Sequence, residues 1–383
     1  MKLTIGMCTY DDYDGVWFTI QSIKMFHPEC LDDIQFVVVD GNPGSRHGAA
    51  CESLVSKLTN MHGNNGLYVK NVSCPGTASR NYIFQYARTP YVLCVDSHVM
   101  LAPGSIRKLI DYYDNNPECD DLLQGPLIDE NGKTFATRMD PVWEYNMLGK
   151  WVCDTSQIDA SEPYEVDMMG LGLFSARKSS WLKFNELFRG FGGEEGYIHR
   201  KYRQLGRKCL ILPWLKWNHR FERPNGVPYK NDYHDRIKNY MIGWAELGHD
   251  PQEIIDYYST SNTQQGQERP AIGTTQLKDM YYQCAQQVTN DLPDPAETHQ
   301  ENNRLKSRIV ELEMKLMELM ITAPLADQNV VEVDPANIDT IFQSKNNAHT
   351  ETSVIEHNFA RSLKQTPQVD DIQIPKPVVR TKD

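Results

Sequence analysis

The feature that most constrains this chain is the regular alternation of short apolar runs and amphipathic segments over its first 125 residues. At its centre, Phe36-Val37-Val38-Val39 is an almost continuous β-branched run, the pattern of a parallel strand covered on both faces. Residues 3–8, 68–72 and 91–95 read as further strands, and 15–25, 49–58 and 77–87 as the helices between them. The first helix stops ahead of His27-Pro28, where a proline disfavours helical backbone in the residue before it. Such a βαβα series predicts an open, mostly parallel α/β sheet. Sheets of this kind take ligands outside the carboxyl ends of their strands, so polar residues directly after strands are the informative ones.

Past residue 260 the alternation is lost. Residues 259–273 are rich in Ser, Thr, Gln and Gly and read as a linker, with 276–288 a short helix inside a connecting stretch that runs to 296. Over 297–321, Leu305, Ile309, Leu312, Leu316 and Leu319 recur at spacings of four and three, a seam of under three heptads. Two readings stand side by side: an amphipathic helix docked on its own domain, or a short coiled coil joining copies of the chain. Residues 322–383 are polar and aperiodic, as expected of a disordered tail.

Charge narrows the function classes. With 39 Lys and Arg against 51 Asp and Glu the net charge is −12, which disfavours a generic coat for nucleic acid or anionic membrane. The total hides a basic block: residues 171–240 hold 15 basic and 6 acidic side chains, net +9, together with 13 aromatics. That combination suits a polyanionic or stacking partner. The nine cysteines are scattered without a Cys-x-x-Cys, which argues against a disulfide framework or a Cys-rich zinc site and for a reducing, cytoplasmic setting. No apolar stretch approaches a membrane span, and residues 1–9 are too short for a signal-peptide core before Asp11, Asp12 and Asp14.

The sharpest local signal is Asp96-Ser97-His98, directly after the strand 91–95. A carboxylate and an imidazole two residues apart point to one side of an extended chain, and this O/N pair suits a borderline divalent ion such as Mn²⁺. Further along come Met169-Gly170-Leu171-Gly172-Leu173-Phe174, then Phe188-Arg189-Gly190-Phe191-Gly192-Gly193-Glu194-Glu195, then Trp217-Asn218-His219-Arg220-Phe221.

In type, order and spacing these four elements resemble the GT-A glycosyltransferases of family 2, and among them the polypeptide N-acetylgalactosaminyltransferases, over residues 1–235. The resemblance implies a GT-A catalytic domain, placed here at residues 1–258, that moves a sugar from a UDP-sugar to an acceptor hydroxyl. It implies that Asp96, His98 and His219 hold Mn²⁺ (or Mg²⁺), and that Arg220 and Arg223 clamp phosphates. Residues 222–231 correspond to a loop that closes over the donor. Thr9, Tyr10, Asp40, Gly76, Arg80 and Gly172 fall where the family binds the nucleotide-sugar, Asp40 on the uracil. Glu195 corresponds to the acid that serves as base in inverting relatives, and Glu194 to a residue on acceptor or donor hydroxyls. Where this chain has Glu195, the retaining N-acetylgalactosaminyl enzymes have Asn. The family's peptide enzymes also carry a membrane anchor and a lectin domain that this sequence does not display. The acceptor therefore stays open between a hydroxymethylated pyrimidine in DNA and a protein or glycan hydroxyl. A reading from another class is a GT-A domain kept as a non-catalytic assembly module, oligomerised through 297–321.

Overall fold

The fold is that of a computed structural model, which describes residues 1–61, 65–72, 76–222, 226–229, 231–264 and 267–290. It opens with β1 (Leu3–Thr9), α1 (Tyr13–Phe26), β2 (Ile34–Asp40), α2 (Arg46–Met61), β3 (Gly66–Lys70), α3 (Arg80–Tyr86) and β4 (Tyr91–Asp96). Every residue of β2 is buried, which is what its unbroken apolar run requires. β1 runs parallel to β2 from Leu3↔Ile34 to Thr9↔Asp40, and on its other side parallel to β4. The strands end together, so Thr9, Asp40 and Asp96 all stand at one edge of the sheet. The helix expected over 77–87 begins instead as a 3₁₀ turn, Thr77–Ser79, before α3 takes over.

The chain continues through β5 (Val99–Leu101), α4 (Ser105–Asn115), β6 (Leu122–Gln124), β7 (Leu127–Ile128), β8 (Thr134–Ala136), β9 (Arg138–Glu144), β10 (Met147–Val152), β11 (Tyr164–Glu165) and β12 (Leu173–Arg177). It closes with α5 (Glu194–Gln204), β13 (Cys209–Ile211), β14 (Trp217–His219), α6 (Tyr233–Leu247), α7 (Gln252–Tyr258), the hairpin β15 (Asn262–Gln264) and β16 (Gln267–Arg269), and α8 (Thr274–Asn290). Eight strands form the main sheet in the order β11-β13-β6-β12-β4-β1-β2-β3, with β12 antiparallel to both of its neighbours. A smaller sheet, β5-β14-β7-β8, sets β14 antiparallel to β5 with His219 opposite Val99. That register carries a histidine from far along the chain to the residue following His98.

The stretch 259–273, read as a linker, carries the hairpin β15–β16, and the helix expected over 276–288 is α8. The hairpin's anchor is Arg269, buried, with its guanidinium on Asn146 Oδ1 (2.6 Å), Tyr258 O (3.1 Å) and Tyr257 O (2.9 Å) and packed against both tyrosine rings. α8 packs on α6, with Leu277 and Cys284 buried. The expected helix at 297–321 and tail at 322–383 lie outside the described residues. No described helix is long and apolar enough to cross a membrane.

Candidate functional site

At the carboxyl edge of β1 and β4 lies a cleft of about 370 Å³. Of the residues expected to bind donor, Thr9, Tyr10, Gly76 and Arg80 line it, and so do Asp96 and His98. Gly76 is required by its backbone: its φ of +117° is a left-handed conformation, and a Cβ there would meet Gly190 O at 2.5 Å and Gly190 N at 2.6 Å. The two glycines pair as a parallel bridge, with Thr77 N donating to Gly190 O at 3.2 Å. This bridge ties the turn before α3 to the glycine-rich loop before α5. Gly76→Ala is expected to destabilise the domain by about 1–3 kcal/mol through overpacking, lowering its melting temperature in a thermal scan.

Asp96, His98 and His219 come together, each offering a ligand atom, all within 4.8 Å of one another. His98 Nε2 faces His219 Nε2 at 3.1 Å, and Asp96 Oδ2 lies 3.4 Å from His219 Nε2. Two imidazole nitrogens bound to one ion at about 2.0–2.2 Å, at right angles, would stand about 3 Å apart, so the spacing fits a shared cation. Two carboxylates, Asp96 and Glu194, flank Arg80, whose guanidinium is 3.1 Å from Asp96 Oδ1 and 3.6 Å from Glu194 Oε1. Burial opposes ionisation of Asp96. The hydrogen bond from His219 and the Arg80 charge overcome it and hold the carboxyl well below the usual range. An ionised carboxylate and two converging imidazole nitrogens form a donor set that accepts a divalent cation.

Gly172 is placed by close packing rather than by open space. Its carbonyl accepts from Asp96 N at 2.9 Å, and a Cβ would meet the Trp217 ring at 2.8 Å and Asp96 Oδ2 at 3.3 Å. Arg220 is joined to the site through its backbone N, which donates to His98 O at 3.2 Å, and its guanidinium lies 3.3 Å from Asp12 Oδ1. Arg223 lies outside the described residues, as does part of the 222–231 loop. Tyr229 of that loop lines the cleft, with its ring near Tyr10 and Phe191.

Asp40, Glu194 and Glu195, three of the expected residues, do not line the cleft. Asp40 is buried with both carboxylate oxygens engaged, Oδ1 by Asn42 N (2.8 Å) and Oδ2 by Tyr68 OH (2.6 Å), and it is not among the residues lining the cleft. Glu194 and Glu195 open α5 behind Arg80 and do not line the cleft either. Burial, then the neighbouring Glu194 charge, raises the Glu195 carboxyl well above its ordinary value, and its Oε2 is enclosed without a hydrogen-bond partner. Asp12 was not legible as a site residue, although as the cap of α1 it accepts from Gly15 N at 3.2 Å. An acid before a helical run is a capping signal, and nothing local says that its other oxygen reaches the end of β4.

Part of the basic block is paired in space. Arg177 pairs with Glu118 (2.7 Å), Arg200 with Glu253 (2.6 Å), Lys201 with Glu246 (2.6 Å), Arg203 with Asp167 (3.4 Å), Arg207 with Asp120 (3.1 Å) and Arg220 with Asp12. All six acids come from outside 171–240, so six of the segment's fifteen cations are paired beyond it.

Parallel strands with a candidate metal-ligand set and a cleft at their carboxyl edge are the arrangement of a GT-A domain. Residues 4–178 match the family model of Glycosyl transferase family 2. The domain has the GT-A fold. A crystal structure of GalNAc-T7 with UDP, GalNAc and Mn²⁺ superposes with a TM-score of 0.54 at 17% identity, covering 76% of this chain. The chain spans 56% of that structure's length. Staphylococcus aureus TarS 1–349 in complex with UDP-GlcNAc aligns at 16% identity and a TM-score of 0.41, over 65% of this chain and 68% of that one. No curated protein matches the chain.

Proposed function

We propose that the protein transfers a sugar from a UDP-sugar to a hydroxyl of a macromolecular acceptor, with Mn²⁺ or Mg²⁺ held by Asp96, His98 and His219. The observation that carries this reading is the convergence of His98 Nε2, His219 Nε2 and Asp96 Oδ2 at the rim of the cleft. A bound divalent cation would neutralise the charge that develops on the departing diphosphate. Thr9, Tyr10 and Gly76 line the donor's side of the cleft, and Arg80 holds Asp96 in place from beneath. Arg220 and Arg223 supply cations beside the phosphates. Glu195 takes the proton of the acceptor hydroxyl. The reading predicts inversion at the anomeric carbon.

Among acceptors we favour a protein or glycan hydroxyl over modified DNA, because six of the fifteen cations that recommended a polyanion are paired with acids from outside their segment. Cys30, Cys51, Cys94, Cys209 and Cys284 are buried free thiols, in keeping with a reducing cytoplasmic setting. The test is Mn²⁺-dependent release of UDP from a panel of UDP-sugars. Turnover of at least one sugar, lost on chelation, is the expected result. Neither binding nor turnover of any UDP-sugar with Mn²⁺ or Mg²⁺ present would contradict the reading and favour the assembly module.

A further inference from the structure

Asp12 spends its carboxylate on four groups from three parts of the chain. Oδ1 accepts from Gly15 N at 3.2 Å and faces the Arg220 guanidinium at 3.3 Å; Oδ2 accepts from Ser97 Oγ at 3.0 Å and from His98 Nδ1 at 3.0 Å. The side chain is 12% exposed, so these contacts form largely out of water. Since Oδ2 can only accept, Nδ1 of His98 carries a proton, and in the neutral ring the lone pair is then on Nε2, which faces His219 Nε2. His219 has no such support: its Nδ1 is buried without a hydrogen-bond partner.

We infer that Asp12 is the positioning residue of the metal centre, fixing the tautomer and ring orientation of His98 so that Nε2 can bind the cation. The inference rests on the proposed metal site, and it adds a role for the start of α1, whose N-cap and whose metal support are the same side chain. Carboxylates that hold a metal-binding histidine in this way typically strengthen metal affinity by about 10–100-fold.

The discriminating variant is Asp12→Asn. Asparagine caps helices as well as aspartate does. With its oxygen kept on Gly15 N–H and Arg220, its NH₂ group faces His98 Nδ1, which must then accept, and the ring proton moves to Nε2. In the metal-free protein with ¹⁵N-labelled histidine, NMR is expected to find His98 as the Nδ1–H tautomer in the wild type and as Nε2–H in Asp12→Asn. Mn²⁺ titrated into the wild type and followed by electron paramagnetic resonance is expected to bind 10–100-fold more tightly than to the variant. Melting temperatures are expected to agree within a few degrees. Asp12→Ser, which keeps a cap but cannot reach the ring, serves the same comparison if Asp12→Asn does not fold. An unchanged His98 tautomer together with Mn²⁺ affinity within twofold of wild type overturns the inference. Absence of Mn²⁺ binding in the wild type overturns the metal reading itself, and the tautomer measurement, which uses no metal, tells the two failures apart.

Discussion

Asp96→Asn is expected to lower turnover by about a thousandfold or more while leaving the domain folded. The substitution keeps the side chain's shape at the end of β4 and still offers Arg80 an acceptor at the position of Oδ1, now 3.1 Å from the guanidinium. What it removes is the negative charge between Arg80 and His219, and with it one of the three ligand atoms. A metal that stabilises the leaving diphosphate is worth several kcal/mol, and a thousandfold corresponds to about 4 kcal/mol of barrier. Steady-state kinetics with saturating UDP-sugar, beside a thermal scan, measures this. His219→Ala is expected to cost a similar factor, and the double variant little more than either alone, because both changes disable one unit. Wild-type turnover in either single variant would contradict the three-ligand site.

Arg80→Met is expected to produce the largest loss of stability. The guanidinium, 13% exposed, sits between Asp96 and the almost wholly buried Glu194, with Glu195 next in the chain. Removing one partner of such a cluster leaves carboxylates uncompensated, a cost of about 3–5 kcal/mol. For a domain of this size that is a fall in melting temperature on the order of 10 °C. Arg80→Lys keeps the charge but not the two-pronged reach, and is expected to lose less. Millimolar Mn²⁺ is expected to restore part of the loss in Arg80→Met, since a bound cation supplies countercharge beside Asp96 and any ligand of the native state stabilises it. A melting temperature unchanged from wild type would contradict the countercharge role.

Much of this arrangement was legible in the sequence where the physics is local. The apolar run of β2 announces a strand covered on both faces, and the polar tripeptide ending β4 announces a ligand pair, because both are consequences of neighbouring residues. His219 was legible only through the resemblance, since the β5–β14 register that sets it against His98 is a long-range pairing. Asp40 and Asp96 look alike in sequence, each the acid that ends a parallel strand. Tyr68, 28 residues downstream, takes Asp40, while Arg80 and His219 hold Asp96 at the cleft. Counting charge along the basic block is limited for the same reason, being blind to partners contributed by α6, α7 and the loop before β6. A composition that reads as a linker at 259–273 likewise conceals the burial of Arg269, one residue whose hydrogen bonds fold the hairpin onto the domain.

The proposed function stands on a cation site formed by Asp96, His98 and His219 at the cleft. Anomalous diffraction at the manganese edge, from crystals soaked with Mn²⁺ and UDP, tests it most directly. The expected result is one anomalous peak within about 2.0–2.4 Å of Asp96 Oδ2, His98 Nε2 and His219 Nε2, with diphosphate density beside it. Diphosphate density in the cleft with no peak at these three atoms, or with the peak elsewhere, would contradict the account.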